Sequence, residues 1–241
     1  MGAGTGGADG GRGGSSGFAP VRGARLRYRV RGSGPPVLLI CGLAMQKEFW
    51  LMQRSLARRF TLIAYDNRGW GLSSRPRGPY TVGQLAEDAV GLLDHLGVPR
   101  AHIFGVSLGG MIAQEVALRW PERVDRLVLA STAGRAVHSF PPAFHGRAIE
   151  AWWDLRGLVA QASAYLAFDG LERARDIRAP TLVVAGSRDR TLPAEHGREL
   201  AERIPGARLL VMRGSHWLVW EGGPMLAAEV ERFLGEASRQ S

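Results

Sequence analysis

The chain has 241 residues, 45% of them hydrophobic, which is enough for one well-filled core and too little for a second catalytic domain. Its single cysteine, Cys41, excludes an intramolecular disulfide, and no Cys/His cluster has metal-ligand spacing. The formal charge of +9 comes from arginines spread thinly along the chain, with Lys47 the only lysine; nucleic-acid binding would need a basic stripe with interleaved aromatics, so none is expected.

In chain order, residues 1–17 are nearly all Gly, Ser, Ala and Thr. Such a segment buries too little apolar surface to offset the entropy of ordering it, and a disordered tail is expected. Gly2, Gly4 and Gly7 satisfy a dinucleotide-site spacing, but no strand precedes them and no helix follows, so no nucleotide cofactor is implied. The tail lacks the apolar stretch of a secretory signal, and no apolar run approaches the length of a membrane span, so a cytoplasmic protein without membrane contact is expected.

Beyond the tail, short apolar runs alternate with amphipathic stretches. Strands are predicted at residues 25–30, 37–41, 61–65, 102–106, 124–130, 181–185 and 207–212, the later ones being continuous Val, Leu and Ile as in strands buried on both faces. Helices are predicted at residues 49–59, 82–96, 111–120, 195–204 and 225–234, with Gly97 as a C-cap. This alternation specifies an α/β fold, a mostly parallel sheet flanked by helices. One stretch breaks it: residues 134–176 hold two helix-like segments and no strand, so a short helical cap (133–176) is expected between the two parts of the core (18–132 and 177–241).

The sharpest chemical signal is Gly105-Val106-Ser107-Leu108-Gly109-Gly110, directly after a strand and opening a helix. A serine on so tight a turn needs small neighbours, and the turn lifts its hydroxyl above the sheet edge. It also leaves the Leu108 N–H free at a helix N-terminus, where an anion is favoured. A hydroxyl at its normal pKa is a poor nucleophile and needs a base, which in turn needs a group to set its tautomer.

Of six histidines, His216, in the loop after the last predicted strand, is placed to be that base. The other five have surface, strand or capping explanations. Asp189 follows strand 181–185 directly, whereas the slot after strand 124–130 reads Ser131-Thr132-Ala133 and offers no acid. The resulting order is Ser107, Asp189, His216. Residues 41–44, after an earlier strand, are placed to supply a second oxyanion donor through the Leu43 N–H, beside that of Leu108.

Together these segments, with the stretch Asp66-Asn67-Arg68-Gly69-Trp70-Gly71-Leu72-Ser73 and Glu221, resemble the α/β-hydrolase superfamily, particularly its small bacterial esterase, lactonase and haloperoxidase-like members. The resemblance covers residues 21–234 and implies acyl transfer to Ser107 with no cofactor and no metal. Two departures stand out. Cys41-Gly42 replaces the His-Gly of many relatives, and the cap is shorter than the family's usual one, which leaves room for a homodimer to complete the pocket.

Aromatic residues crowd the cap, and Phe144, Trp152, Trp153 and the non-cap Trp217 are candidate contacts for a small apolar ester, lactone or thioester. The rival readings are other chemistry on the same fold, such as C–C hydrolysis, cofactor-free peroxidation or a cyclisation, and a small-molecule receptor that turns over slowly.

Overall fold

The computed structural model describes residues 14–137 and 155–236. Its centre is an eight-stranded sheet in the order β1-β2-β4-β3-β5-β6-β7-β8. The strands are β1 Gly14–Val21, β2 Ala24–Arg31, β3 Pro36–Ile40, β4 Thr61–Tyr65, β5 Ala101–Val106, β6 Val124–Ala130, β7 Thr181–Gly186 and β8 Arg208–Met212. From β4 to β8 every pairing is parallel, while β1 and β2 form an antiparallel hairpin whose second strand joins β4 antiparallel.

Each central strand is apolar on both faces because helices cover both. Leu38 and Ile40 enter one core with Ile103, and Val37 and Leu39 enter the other with Phe104. The first core is closed by α1 Val82–His95, α2 Leu108–Arg119 and α4 Ala194–Arg203. The second is closed by a 3₁₀ helix, Lys47–Arg58, and by α6 Gly223–Leu234, which follows the short α5 Leu218–Glu221. Between β6 and β7 the described residues form α3 Leu155–Leu166 and a 3₁₀ turn, Glu172–Asp176. Among the described residues no helix is long and apolar enough to cross a membrane.

Three differences from the sequence expectation have physical causes. Residues 14–17, assigned above to a disordered tail, belong to β1, where Gly14 to Gly17 pair with Arg31 to Tyr28. An edge hairpin is held by backbone hydrogen bonds, so composition poor in apolar side chains does not forbid it. The segment expected as an α-helix at 49–59 is instead a 3₁₀ helix, Lys47–Arg58, whose buried residues Lys47, Trp50, Gln53 and Leu56 recur every third position, the 3₁₀ period. Helix α2 begins at Leu108, three residues ahead of the predicted start, because Ser107 itself is its N-cap residue. Gly97 does take the left-handed φ of 66° expected of it after α1.

The chain runs from β3 out to β4 and then returns to β5 on the other side of β3. The carboxyl ends of β3 and β5 therefore flank a topological switch point, where loops diverge and leave a crevice.

Candidate active site

Ser107 lies between the end of β5 and the start of α2, with φ 55° and ψ −122°. A non-glycine residue at positive φ is strained and persists only where its surroundings over-determine it. Here they do. Its N–H donates to the Ala130 carbonyl at 3.0 Å, and its own carbonyl accepts from the Gly110 N–H at 2.8 Å and from Thr132 Oγ1 at 2.7 Å. Strand and helix approach so closely that a Cβ on Gly105 would lie 2.2 Å from the Gly109 carbonyl oxygen, and one on Gly109 only 2.1 Å from that of Ile40. The glycines around the serine are thus a steric requirement of the turn.

His216 sits in the loop between β8 and α5, with Nε2 3.1 Å from Ser107 Oγ and Nδ1 2.8 Å from Asp189 Oδ2. All three residues are buried. Asp189 follows β7, and its other oxygen, Oδ1, accepts the N–H groups of Thr191 and Leu192 at 2.9 and 2.8 Å. That leaves Oδ2 for the imidazole. The Asp189 and His216 loops are tied by the Arg188 N–H donating to the Gly214 carbonyl at 2.9 Å. Glu221 anchors the histidine loop from α5, accepting from the Ser215 N–H at 2.7 Å and from Ser215 Oγ at 2.5 Å.

Residues 41–44 follow β3 and reach the serine: a Cβ on Gly42 would lie 3.1 Å from Ser107 Cβ. A turn closed by the Met45 N–H on the Gly42 carbonyl at 3.3 Å shapes this loop, with Ala44 at φ 56°. Among the described residues the N–H groups of Leu43 and Leu108 donate to no acceptor. Asn67 Nδ2 donates to the Cys41 carbonyl at 3.0 Å, which holds the start of the loop.

Beneath the loop lies a charged layer. Lys47 Nζ is 3.0 Å from Asp66 Oδ2, and Asp66 also accepts the N–H groups of Lys47 and Leu72 at 2.8 and 3.1 Å. Arg68 grips Asp88 with a two-pronged, buried ion pair. Burial pushes the Asp88 carboxyl up from its usual value while the Arg68 bonds pull it back. Burial also pushes the Cys41 thiol far up. It therefore stays protonated and donates to the Gln46 carbonyl at 3.2 Å, so it offers no rival nucleophile.

Of the candidate substrate contacts, Phe144, Trp152 and Trp153 lie outside the described residues. Trp217 follows His216 and is partly exposed, its ring tilted against Phe49 at 6.1 Å between centroids. Among the described residues no group of three or more His, Cys, Asp or Glu is arranged to hold a metal ion. Sequence reasoning did not give Asn67 its part in holding the loop; nothing local marks it, because its partner Cys41 is 26 residues away.

The sequence profile of the family described as the alpha/beta hydrolase fold matches residues 35–156. The solved structure of a hydrolase from Pseudomonas aeruginosa superposes with a TM-score of 0.82 at 34% identity, covering 92% of this chain and 98% of that one. The enol-lactonase from Burkholderia xenovorans superposes with a TM-score of 0.83 at 29% identity, over 91% of this chain and all of that one (100%). The 2-hydroxymuconate semialdehyde hydrolase of Pseudomonas putida is 31% identical over 261 aligned positions, which span 89% of this chain and 92% of that one.

Proposed function

Because this chain belongs to the α/β-hydrolase family, we propose that it hydrolyses a small apolar ester, lactone or thioester through an acyl-enzyme on Ser107. The observation that carries this reading is the unbroken relay from Ser107 Oγ to His216 Nε2 and from His216 Nδ1 to Asp189 Oδ2. The likeness to an enol-lactonase supports the lactone among the three bond types.

In the proposed reaction His216 Nε2 takes the hydroxyl proton as Oγ attacks the carbonyl carbon. Asp189 accepts the Nδ1–H and stabilises the imidazolium. The N–H groups of Leu43 and Leu108 receive the oxyanion, each such donor being worth about 3 kcal/mol in the transition state. Collapse breaks the bond to the leaving group, which takes the proton from His216. Water, deprotonated by His216, then attacks the acyl group, and the proton returns to Oγ as the acid departs. Every step uses residues of this chain alone.

The test is a fluorophosphonate probe with p-nitrophenyl ester turnover on wild type and Ser107→Ala. Labelling should vanish in the variant and kcat should fall by about 10⁴-fold or more. Unchanged turnover would sink the acyl-enzyme reading. Asp189→Asn tests the relay differently. Its amide oxygen would stay with the Thr191 and Leu192 donors, so its NH₂ would face His216 Nδ1 and force the proton onto Nε2. That tautomer cannot accept from Ser107, so kcat should drop by about 10³- to 10⁴-fold in a protein with wild-type thermal stability. The likeness to a 2-hydroxymuconate semialdehyde hydrolase favours a second reading, hydrolysis of a non-ester bond by the same residues. Turnover of that compound exceeding that of every ester would decide for it.

A further inference from the structure

Gln161 is a buried polar side chain in the middle of α3, on a buried stripe whose other members are Gly157, Ala160, Ala164 and Tyr165. It is fully buried, so both ends of its amide need partners. Its Oε1 accepts the Ala44 N–H at 3.2 Å, and its Nε2 donates to the Arg68 carbonyl at 2.8 Å. The amide orientation is settled by these partners, since a flip would set donor against donor and acceptor against acceptor. One side chain from the segment between β6 and β7 thus bridges the loop after β3 and the loop after β4.

What it grips matters more than the bridge. The peptide carrying the Leu43 N–H is the one between Gly42 and Leu43, and it lies between two anchored neighbours. On one side the Cys41 carbonyl is held by Asn67; on the other the Ala44 N–H is held by Gln161. The Gly42 carbonyl, on the opposite edge of the same trans peptide from the Leu43 N–H, is occupied by the Met45 N–H. Ala44 pays for this arrangement with a left-handed φ of 56°. Rotating the Leu43–Ala44 peptide would relieve that strain, and the Gln161 carbonyl oxygen opposes the rotation directly.

We infer that Gln161 is a positioning residue for the reaction: by holding the Ala44 N–H it keeps the Leu43 N–H aimed at the oxyanion, so that the segment between β6 and β7 completes the hole. The inference rests on the acyl-enzyme reading above, because only there does an oxyanion form beside Ser107. It also gives the Cys41 position a physical sense. Cys41 Sγ is spent on the Gln46 carbonyl, and the middle of the loop is steadied by a side chain 117 residues from Ala44.

The test compares wild type, Gln161→Met and Gln161→Glu in the full chain, with p-nitrophenyl butyrate as substrate and an alkyl trifluoromethyl ketone as the tetrahedral-adduct probe. Active sites are counted by fluorophosphonate labelling, so partial unfolding is removed from the rate. Gln161→Met should lower kcat per labelled site about 10- to 100-fold with KM within about threefold, and should weaken the ketone by the same factor. Gln161→Glu is isosteric, and its protonated form, which burial favours, keeps both an oxygen against the Ala44 N–H and an O–H toward the Arg68 carbonyl, so it should recover most of that loss. A purely structural role predicts fewer labelled sites at unchanged kcat, and that result overturns the inference.

A loss confined to KM overturns it as well, as does a Gln161→Glu enzyme as slow as Gln161→Met. Should Gln161→Met fail to fold, Gln161→Asn, too short to span both loops, carries the same comparison. Turnover that survives in Ser107→Ala overturns the acyl-enzyme reading and this inference together, whereas loss in Ser107→Ala with no effect of Gln161→Met overturns this inference alone.

Discussion

The two amides proposed to receive the oxyanion are built in opposite ways. Leu108 sits at the head of α2, where the strained Ser107 and the glycines Gly105 and Gly109 are pressed by backbone at Ile40, Cys41 and Ala130. That backbone belongs to the sheet and its loops, so the Leu108 N–H is freed by steric contact with the rigid core. Leu43 sits in a loop closed by one local turn, Met45 N–H on the Gly42 carbonyl, and otherwise held by groups far off in the chain, Asn67 from 26 residues away at Cys41 and Gln161 from 117 at Ala44. A donor fixed by local sterics has no alternative position to visit. One fixed by side-chain hydrogen bonds has alternatives, and each bond accounts for only about 1 kcal/mol of the preference.

Breaking the local donor should therefore break the fold with it. A Cβ at position 109 meets the Ile40 carbonyl at 2.1 Å and that of Cys41 at 2.7 Å, both backbone atoms that cannot swing aside. Gly109→Ala is expected to cost about 4 kcal/mol or more, lowering the melting temperature by about 8–16 °C or more and abolishing fluorophosphonate labelling in whatever soluble protein remains. A stable, fully labelled Gly109→Ala protein would show that the turn has slack the geometry does not reveal.

The distant donor should fail more gently and without loss of fold. Asn67→Leu removes the bond to the Cys41 carbonyl and leaves the charged layer around Asp66 intact. We expect kcat to fall about 10-fold with labelling stoichiometry unchanged, read from burst amplitude and steady-state rate on one ester. Equal damage to kcat and KM would mean that Asn67 shapes the substrate pocket instead of the donor.

The same contrast explains what could be read from the sequence. The parallel strands were legible because each is apolar on both faces, and the serine turn because its sterics restrict residues 105–110 to a recognisable pattern. The places of Asp189 and His216 followed from strand ends. Residues 14–17 were misread because an edge strand lives on backbone bonds, which leave no composition signal. The 3₁₀ helix at 47–58 was read as α because its period of three differs from 3.6 by less than one residue over a single turn. Gln161 was invisible as chemistry, although an amide on the buried stripe of Gly157, Ala160, Ala164 and Tyr165 is a signal in retrospect. Bonds between residues tens of positions apart have no spacing to detect.

A last and smaller test runs along β5 itself, from the serine end to the other. His102, the second residue of β5, is buried with Nδ1 lacking a partner among the described residues and its ring edge-on to Phe60. Burial lowers its pKa from 6.5; Asp125 acts to raise it, while Arg126 and Arg100 lower it further. Above about pH 6.5 the ring is neutral in both folded and unfolded chains, and its stability contribution is fully present. As pH falls through that value the unfolded chain binds the proton first, so stability drops until the folded pKa is reached. His102→Leu removes this term. Its melting temperature should therefore fall less than that of wild type between pH 7 and pH 5, while kcat at pH 7.5 stays within about twofold because the change is at the end of β5 away from Ser107. Parallel melting curves across that range would place the acid sensitivity elsewhere, and an altered kcat would mean that β5 transmits strain along its length to the serine turn.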